Sequence, residues 1–470
     1  MTGLRYVSTR GSAPDLGFAD VLLAGLARDG GLYVPSEWPS LTVGDLQRFA
    51  GAPYAEVATA VMWPFVEGAM TRDELTALVA DSYATFDAPE VVPLTDLGDD
   101  LWLAELFHGP TLAFKDVALQ LVGRLFDHEL TRRGERVTVV GATSGDTGSA
   151  AIEALRDRPS VDVFILHPEG RVSEVQRRQM TTVDAPNVHN LAVKGTFDDC
   201  QDLVKALFAD EGFRDRRNLS AVNSINWARV MAQLVYYVTS AVALGGADGR
   251  PVAFSVPTGN FGNVFAGYGA QRMGVPISQL VVASNRNDIL TRFLTSGTMT
   301  IGEVHPTLSP SMDIQVSSNL ERLLFELYGR DGSAIAELMA RFRAEGTVSV
   351  DSGRLDLLAE HWSAGRVDDE ETSATIAELY QRTGRLIDPH TAVGLAAARE
   401  VRADPRAPMV VLSTAHPAKF PDAVQAATGV HPELPPHLAD LFERPERYEV
   451  VANDYDTVRG VIEGTLDGLR

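Results

Sequence analysis

Lys115 ends the segment HGPTLAFK, residues 108–115, where small and apolar residues surround it at a predicted helix start. Such surroundings disfavour the charged ammonium, and the neighbouring Asp116 opposes this effect. A lysine that is partly neutral can attack a carbonyl group and form a Schiff base, which the permanently protonated arginine cannot do. Lys115 is therefore a candidate nucleophile. The alternative is a solvated lysine that extends from a helix.

Lysine is rare in this chain, which makes each lysine informative. The 470 residues include 41 basic residues, and only four of these are lysines. Lys194 and Lys205 are expected at the surface, because Lys205 lies on an amphipathic helix and Lys194 ends an apolar run. Lys419, in the segment 414–420, also follows a predicted strand and opens a helix. It therefore competes with Lys115 for the same chemistry.

Two glycine-rich loops each follow a predicted strand and open a helix. Residues 141–148 read GATSGDTG, and residues 257–263 read PTGNFGN. Glycine lets the backbone approach a ligand, and consecutive N–H groups at a helix start can bind an anion. Neither loop has the G-x-G-x-x-G pattern of dinucleotide sites or the lysine of a phosphate-loop NTPase. The first loop alone is equally compatible with a tight turn, but together the two loops predict two bound anionic groups.

A Schiff-base lysine and a phosphate-binding loop are the minimum that pyridoxal phosphate requires of a protein. That cofactor also needs a partner for its ring nitrogen, and Thr414 follows the predicted strand 409–413. A hydroxyl group there would favour a neutral pyridine nitrogen. The segment 223–229 suits an anion clamp, because the Arg229 guanidinium can donate two parallel hydrogen bonds to a phosphate. A helix N-cap at Asn226 is the alternative interpretation of that segment.

From about residue 100 onward, short β-branched runs alternate with helical patterns, which predicts a parallel sheet covered by helices on both faces. The predicted strands are 136–140, 161–166, 252–256, 279–283 and 409–413. The predicted helices between them include 116–133, 147–157, 198–209, 226–244 and 262–272. In such α/β folds ligands bind at the carboxyl ends of the strands, where the two glycine loops lie.

We expect three consecutive regions along the chain. Residues 1–95 are predicted to form a helical segment, and residues 96–250 an α/β domain that carries Lys115 and the substrate loops. Residues 251–470 are predicted to form a second α/β domain that carries the cofactor-phosphate loop. Residues 285–405 are mostly helical and charged, and we interpret them as an insertion into this C-terminal half.

The overall composition argues against several classes of function. With 63 acidic and 41 basic residues the net charge is −22, which disfavours sequence-independent binding to nucleic acid or to an anionic membrane. A single cysteine, Cys200, excludes a multi-cysteine zinc site, and the ten histidines are scattered, so we expect no metal. The uncharged stretches 230–247 and 251–271 are too interrupted to span a membrane, and the N-terminal residues lack the apolar core of a signal peptide. We expect a cytoplasmic protein.

Five motifs in this order resemble those of the longer type of threonine synthase: HGPTLAFKD, GATSGDTGSAA, NSINWARVMAQLVYY, VPTGNFGNVFAGY and STAHPAKF. The opening segments RYVSTRG and LGFADVLLAGLARDGGLYVP also resemble the N-terminal part of that family. The resemblance runs from about residue 5 to residue 430. It implies the α/β architecture of a fold-type II pyridoxal-phosphate-dependent enzyme of the tryptophan synthase β-like superfamily.

The resemblance also implies roles for individual residues. Lys115 would form the Schiff base, Thr414 would face the ring nitrogen, and Asp146 would lie near the 3′-oxygen of the cofactor. The cofactor phosphate would be bound by the loop residues Gly259, Asn260, Phe261, Gly262 and Asn263. The substrate phosphate would be bound by Thr147, Asn223, Ser224 and Arg229, and the substrate carboxylate by Thr143 and Ser144.

The activity that the resemblance implies is conversion of O-phospho-L-homoserine and water into L-threonine and phosphate, by γ-elimination followed by β-addition of water. A related phospholyase that releases phosphate, 2-oxobutyrate and ammonia is the alternative enzyme. A non-catalytic homologue that only binds the cofactor is a third interpretation, which the intact Lys115 and the intact loop 259–263 disfavour. We expect a small-molecule substrate and a monomer or homodimer.

Overall fold

The computed structural model describes residues 3–221 and 223–468 as a mixed α/β chain with parallel sheets, as predicted. The strands are β1 (Tyr6–Ser8), β2 (Tyr33–Pro35), β3 (Leu94–Asp96), β4 (Leu101–Glu105), β5 (Val137–Ala142), β6 (Val161–Pro168), β7 (Val188–Val193), β8 (Leu219–Ser220), β9 (Val252–Pro257), β10 (Ile277–Ser284), β11 (Thr298–Thr300), β12 (Thr347–Ser349), β13 (Trp362–Arg366), β14 (Met409–Ser413) and β15 (Glu449–Val451). The helices are α1 (Phe18–Ala24), α2 (Val43–Phe49), α3 (Tyr54–Val66), α4 (Arg72–Tyr83), α5 (Lys115–Arg133), α6 (Asp146–Leu155), α7 (Glu174–Thr181), α8 (Phe197–Ala209), α9 (Glu211–Arg217), α10 (Trp227–Ala243), α11 (Gly262–Arg272), α12 (Ile289–Ser296), α13 (Leu320–Leu327), α14 (Gly332–Glu345), α15 (Ser352–Ala359), α16 (Asp369–Thr383), α17 (Pro389–Val401), α18 (Pro421–Thr428) and α19 (Tyr455–Gly468).

The chain folds as two compact units, each built from two separate stretches of sequence. Unit 1 comprises Met1–Ala118 and Ser224–Pro432, and unit 2 comprises Leu119–Asn223 and Glu433–Arg470. This division differs from the three consecutive regions expected from the sequence. Contacts between residues far apart in the chain define each unit, and local sequence patterns carry no information about such contacts.

Unit 1 is organised around a six-stranded sheet with the strand order β13-β10-β9-β14-β4-β3. Neighbouring strands are parallel except β3, which pairs antiparallel with β4. Strands β9 and β14 are buried along their whole length, as near-continuous apolar runs predict for a sheet covered on both faces. Helix α17 packs on this sheet, and the Ser255 hydroxyl donates a hydrogen bond to the Gly394 carbonyl at 2.7 Å.

Residues 285–405 are mainly helical, as predicted, and they also complete the sheet of unit 1. Strand β13 lies in this region and pairs in parallel with β10, with Trp362 opposite Leu280. Its sequence, WSAGR, lacks the β-branched run that marks the strands predicted from the sequence, which is why the sequence pattern did not indicate it. The region also contains an antiparallel ribbon of β11 and β12.

The N-terminal segment belongs to unit 1 and is mainly helical, as predicted, with an additional antiparallel ribbon of β1 and β2. Trp227, at the start of α10, packs against Tyr6, Trp38 and Phe65 with ring centroids 5.8–5.9 Å apart. These aromatic contacts attach the segment to α10, which is almost entirely buried. Neither α10 nor any other helix within the described residues is long and apolar enough to cross a membrane.

Unit 2 contains a five-stranded parallel sheet with the order β15-β7-β6-β5-β8. Its core includes Phe164, Cys200, Phe213 and Ile462. Strand β15 and helix α19 come from the C-terminal stretch of the chain, which returns so that β15 pairs with β7. Burial raises the pKa of the Cys200 thiol to about 12, so this cysteine serves packing rather than nucleophilic chemistry.

Candidate active site

Lys115 is the first residue of α5, in unit 1, and it is only 8% exposed. Its Nζ atom lies 4.8 Å from the centre of the Phe114 ring. The amine therefore lies at the positive end of the helix dipole and beside an aromatic ring, where little bulk water reaches it. This is the setting predicted for a lysine that forms a Schiff base.

The carboxylate of Asp116, the residue after Lys115, holds the loop that precedes Lys115. Asp116 is fully buried and accepts hydrogen bonds from the Thr111 backbone N–H at 2.8 Å and from the Thr111 hydroxyl at 2.7 Å. Gly109 makes room for this carboxylate, because a Cβ atom on Gly109 would lie 2.4 Å from the Cβ of Asp116. Leu112 adopts a φ of 63°, a left-handed conformation that is costly for leucine. Surrounding contacts must compensate for that cost.

The same loop is attached to the end of strand β14. The Phe114 N–H donates to the Thr414 carbonyl at 2.8 Å, and the His416 N–H donates to the Leu112 carbonyl at 3.0 Å. Thr414 is 5% exposed. The structure therefore brings Thr414 next to the residue that precedes Lys115.

Lys419, the competing lysine, has a structural role in this arrangement. It is fully buried in the short 3-10 turn Pro417–Lys419, and its Nζ donates to the Thr111 carbonyl at 2.7 Å. This hydrogen bond ties the turn after β14 to the loop before Lys115. Lys419 thus has a partner in the loop before Lys115, and the assignment of the Schiff base to Lys115 stays a prediction that rests on its motif.

The loop Gly259–Asn263 leads from β9 into α11. Phe261 is the N-cap residue of α11 and has a left-handed φ of 64°, with its ring stacked on Trp362 at a centroid distance of 5.4 Å. The Asn260 carbonyl accepts hydrogen bonds from the Asn319 N–H at 3.1 Å and from the Asn319 side-chain amide at 2.8 Å. These contacts hold the loop in one conformation and satisfy a carbonyl that would repel an anion.

The backbone donors of this loop have no partner among the described residues. In the described part of the chain, no acceptor is bonded to the backbone N–H groups of Asn260, Phe261, Gly262 and Asn263. The side-chain Nδ2 of Asn263 is buried and likewise has no partner among the described residues. Gly259 has no space for a side chain, since its Cβ would lie 2.8 Å from the Ser311 carbonyl oxygen. Unpaired donors at a helix N-terminus fit the phosphate of pyridoxal phosphate, as Lys115 fits its aldehyde.

Ser224 lies beside this loop, within unit 1. Its carbonyl accepts a hydrogen bond from the Asn319 side chain at 3.2 Å, and it would lie 3.6 Å from a Cβ atom on Gly262. Ser224 is half-buried. The predicted substrate residue and the predicted cofactor loop are therefore neighbours.

Arg229 lies in the first turn of α10 and is 5% exposed. Its Nη1 finds no hydrogen-bond partner in the residues that the structure describes. Burial lowers the pKa of Arg229 to about 10, and its interaction with Tyr236 offsets this shift only in part. Asn226 is the N-cap of α10 and accepts from the Ala228 N–H at 3.0 Å, so the helix-cap interpretation describes the backbone correctly. A cap does not explain a buried guanidinium whose Nη1 has no partner among the described residues, and an anion is the natural partner for such a donor.

Unit 2 carries other predicted residues at the start of α6. The Gly145 and Gly148 N–H groups both donate to the Thr143 hydroxyl at 2.9 Å, so this side chain stabilises its own turn. Ser144 is exposed and Thr147 is half-buried. The Ser144 side chain is therefore accessible, whereas that of Thr143 is engaged.

Asp146 is the first residue of α6 and is largely buried. Its Oδ1 accepts a hydrogen bond from the Gln176 side chain at 2.8 Å, and the helix N-terminus favours its negative charge. Asn223, the last residue of the first stretch of unit 2, is half-buried. Within residues 3–221 and 223–468, no group of three or more His, Cys, Asp or Glu side chains is arranged to hold a metal ion.

Two histidines of these motifs were not singled out from the sequence. The His108 ring bonds Asp87 through Nδ1 at 2.8 Å and Glu105 through Nε2 at 2.9 Å. Burial alone would lower the pKa of His108, but the hydrogen bonds to Glu105 and Asp87 outweigh it and raise the pKa. Burial, reinforced by His108, lowers the pKa of His416 to about 4. The Phe107 ring contacts both imidazoles, at 4.9 Å and 5.3 Å. Only the position of each histidine within a motif could have indicated this cluster.

Three family models match the chain. Residues 5–83 match the threonine synthase N terminus, residues 88–347 match the pyridoxal-phosphate-dependent enzymes, and residues 391–462 match the threonine synthase C-terminal region. Together the matches extend over almost the whole chain, from the N-terminal ribbon to α19. The second match covers more than half of the sequence and includes Lys115 and the loop Gly259–Asn263.

Individual relatives agree with these models. The chain is 56% identical over 460 residues to the threonine synthase of Pseudomonas aeruginosa, which covers 98% of both chains. The structure of threonine synthase from Brucella melitensis with bound pyridoxal phosphate superposes with a TM-score of 0.97 at 53% identity, over 98% of this chain and 99% of that one. The yeast threonine synthase structure gives a TM-score of 0.94 at 41% identity, over 99% of each chain. The chain therefore belongs to the threonine synthase family of pyridoxal-phosphate-dependent enzymes.

Proposed function

We propose that this protein is a carbon–oxygen lyase that converts O-phospho-L-homoserine and water into L-threonine and phosphate. The observation that carries the proposal is the setting of Lys115, a largely buried lysine at a helix start whose loop is bonded to the strand end that carries Thr414. Membership of the threonine synthase family supports the same reaction. When bound, pyridoxal phosphate supplies a ring that stabilises negative charge on the substrate carbons near the amino group.

We assign the cofactor contacts to residues of unit 1, with one exception. Lys115 would bind the aldehyde carbon, and the Thr414 hydroxyl would pair with the ring nitrogen. The phosphate is bound by Gly259, Asn260, Phe261, Gly262 and Asn263, which the unpaired N–H donors of this loop support. Asp146, in unit 2, is assigned to the 3′-oxygen, and the hydrogen bond from Gln176 holds its carboxylate in place.

In this proposal Lys115 also moves the protons. Once the substrate amine has displaced Lys115 from the aldehyde carbon, the freed Nζ would take the proton from substrate Cα. The same amine would serve the later proton transfers at Cβ and Cγ that allow phosphate to leave and water to add. The bonds from Thr111 to Asp116 fix the residue next to Lys115, so the amine keeps one position through these steps. Burial of Lys115 limits exchange of its proton with bulk water.

We assign the substrate anions to separate groups of donors. The phosphate is bound by Thr147, Asn223, Ser224 and Arg229, and the carboxylate by Thr143 and Ser144. Arg229 is the strongest of these assignments, because its guanidinium is buried and Nη1 has no partner among the described residues. The Thr143 hydroxyl accepts two N–H groups of its own turn, which fixes the oxygen and leaves the O–H as a donor for the carboxylate.

The deciding experiment incubates the purified protein, loaded with pyridoxal phosphate, with O-phospho-L-homoserine and measures the products. Equal amounts of threonine and phosphate support the proposal. Phosphate with 2-oxobutyrate and ammonia would identify the phospholyase instead, and release of neither product would identify a protein that only binds the cofactor. Lys115→Ala serves as the control for background hydrolysis of the substrate.

We also propose that the protein acts in the cytoplasm as a monomer or homodimer. Its net charge of −22 disfavours polyanionic partners, and the ligand it takes is a small molecule. Light scattering coupled to size-exclusion chromatography, compared with the chain mass of 50.7 kDa, distinguishes one copy from two or more.

A further inference from the structure

Two adjacent tyrosines of α10 donate to a single residue of the cofactor loop. Tyr236 and Tyr237 are both fully buried. The Tyr236 hydroxyl lies 2.5 Å and the Tyr237 hydroxyl 2.9 Å from Oδ1 of Asn263. The Tyr237 hydroxyl also lies 2.9 Å from the Asn263 backbone carbonyl. Two buried phenols that converge on one amide are more than is needed to attach α10 to α11.

The two hydroxyls determine which way the Asn263 amide faces. A primary amide has an acceptor end and a donor end, and two hydroxyl donors can be satisfied only by the oxygen. The Nδ2 end must therefore point away from the tyrosines. Burial raises the pKa of both phenols well above its usual range, so both stay protonated and remain donors. Turning the amide over would make the phenol oxygens accept from Nδ2, and the Tyr236 proton would lose the acceptor that Oδ1 provides.

The Nδ2 atom of Asn263, which points away from the tyrosines, is buried and has no hydrogen-bond partner in the described part of the chain. Asn263 is the second residue of α11, so Nδ2 belongs to the same helix start as the unpaired backbone N–H groups of the loop. Donors grouped in this way bind one anion together. An amide that turned freely would present its oxygen to that anion part of the time and would weaken binding.

We propose that Tyr236 and Tyr237 are positioning residues that orient the Asn263 amide so that Nδ2 donates to the phosphate of pyridoxal phosphate. The inference rests on the proposed role of the loop Gly259–Asn263 in binding that phosphate. The tyrosines act through Asn263 and do not themselves touch the cofactor. Their loss should therefore weaken phosphate recognition while leaving the reaction of Lys115 with an aldehyde intact.

The test uses Tyr236→Phe, Tyr237→Phe and the double variant. Each protein is stripped of cofactor and titrated separately with pyridoxal phosphate and with pyridoxal, which lacks the phosphate, while absorption of the bound cofactor is followed. We expect the double variant to bind pyridoxal phosphate about 10- to 100-fold more weakly, the effect of losing one hydrogen bond to a charged group. Affinity for pyridoxal should stay within twofold of the wild type. Each single variant keeps one donor and should show a smaller loss.

Tyr6→Phe is the matched control, because it also removes the hydroxyl group of one buried tyrosine in unit 1. Its hydroxyl donates to the Phe65 carbonyl at 2.7 Å and does not contact Asn263. Tyr6→Phe should therefore lower thermal stability without changing the ratio of the two affinities. Equal losses for pyridoxal phosphate and pyridoxal in the tyrosine variants, or no loss for either, would overturn the inference.

Asn263→Ala separates this inference from the proposed function of the loop. If Asn263→Ala binds pyridoxal phosphate as well as the wild type, the assignment of Asn263 to the phosphate fails, and the inference fails with it. If Asn263→Ala weakens binding but the double tyrosine variant does not, only the role of the tyrosines fails. With both correct, the tyrosine substitutions should add no further loss in the Asn263→Ala background.

Discussion

Gly109→Ala should disrupt the loop that carries Lys115, although it adds only one methyl group. The new Cβ would lie 2.4 Å from Cβ and 2.7 Å from Oδ2 of Asp116, whereas carbon atoms in contact prefer about 3.5–4.0 Å. Relief requires a shift of roughly 1 Å, taken either by Asp116 or by the loop itself. Either movement breaks the hydrogen bonds that the carboxylate accepts from the Thr111 N–H and hydroxyl.

The magnitude follows from those two bonds. Hydrogen bonds to a charged group contribute about 1.5–3 kcal/mol each, so losing both costs roughly 3–6 kcal/mol. The reduced entropy of the unfolded chain returns about 0.4–1 kcal/mol when glycine becomes alanine. We therefore expect the free energy of unfolding to fall by about 2–5 kcal/mol in Gly109→Ala. Because Asp116 is adjacent to Lys115, kcat should fall as well.

The assay is urea unfolding of the cofactor-free protein, with kcat and KM measured on the loaded enzyme. Gly44→Ala is the matched control, since Gly44 lies in α2 of the same unit and a Cβ there meets nothing closer than the Thr42 hydroxyl at 3.7 Å. In an Asp116→Gly background, Gly109→Ala should cause little further loss, because that background lacks both the Cβ atom that causes the clash and the carboxylate that accepts the bonds. A Gly109→Ala protein within about 0.5 kcal/mol of the wild type, with normal kcat, would refute this reasoning.

Four further substitutions test the other groups of the site. Lys115→Ala should abolish both the visible absorption of the bound cofactor and all activity, and absorption that survives in this variant would contradict the assignment. Lys419→Met should keep that absorption. It should lose about 1–3 kcal/mol of stability, because the Thr111 carbonyl is left without its donor. Arg229→Ala should lower kcat/KM for the phosphorylated substrate about 10- to 100-fold, chiefly through KM, and a non-phosphorylated analogue that loses as much would argue against a phosphate role. The pKa of His108 is raised in the folded protein, so the protonated ring stabilises the folded state. This contribution to the free energy of unfolding is complete at a pH below about 6.5, the pKa of histidine in the unfolded chain. It disappears as the pH rises through the pKa of His108 in the folded protein. The stability difference between the wild type and His108→Asn, measured by urea unfolding, should therefore be larger at pH 6 than at pH 9, and a difference that grows with pH would show that the sign is wrong.

Local sequence patterns were sufficient for the elements that carry the chemistry. The strands β5, β6, β9, β10 and β14 were predicted because each is a short apolar run in a chain that alternates strand and helix patterns. The loop Gly259–Asn263 was predicted as an anion site because its glycines follow a strand and open a helix. The apolar run of a strand and the glycines of a loop between strand and helix each lie within about ten residues, so a local pattern is enough to predict them.

Other features depend on partners that lie far away in the chain. Strand β13 has a weak strand pattern, and it forms because β10 offers an open edge about 80 residues earlier. The Lys419 ammonium bonds the carbonyl of Thr111, 308 residues away. The two tyrosines of α10 meet Asn263 about 26 residues later in the sequence, across two elements of structure. No local pattern could indicate these pairs.

The sequence by itself determined the residue types and the neighbourhood of the chemistry, namely a lysine at a helix start, a glycine loop after a strand and a hydroxyl at the end of another strand. Only the tertiary structure decided that Lys419 is fully buried and donates to the Thr111 carbonyl, whereas the Schiff-base role of Lys115 stays a prediction. It likewise decided that the Thr143 hydroxyl accepts two N–H groups of its own turn, and that Arg229 is buried with an Nη1 atom that has no hydrogen-bond partner among the described residues. Hydrophobic periodicity and the residue types of a motif are properties of neighbouring residues in the sequence. Burial of side chains and their hydrogen-bond partners depend on segments that are distant in sequence.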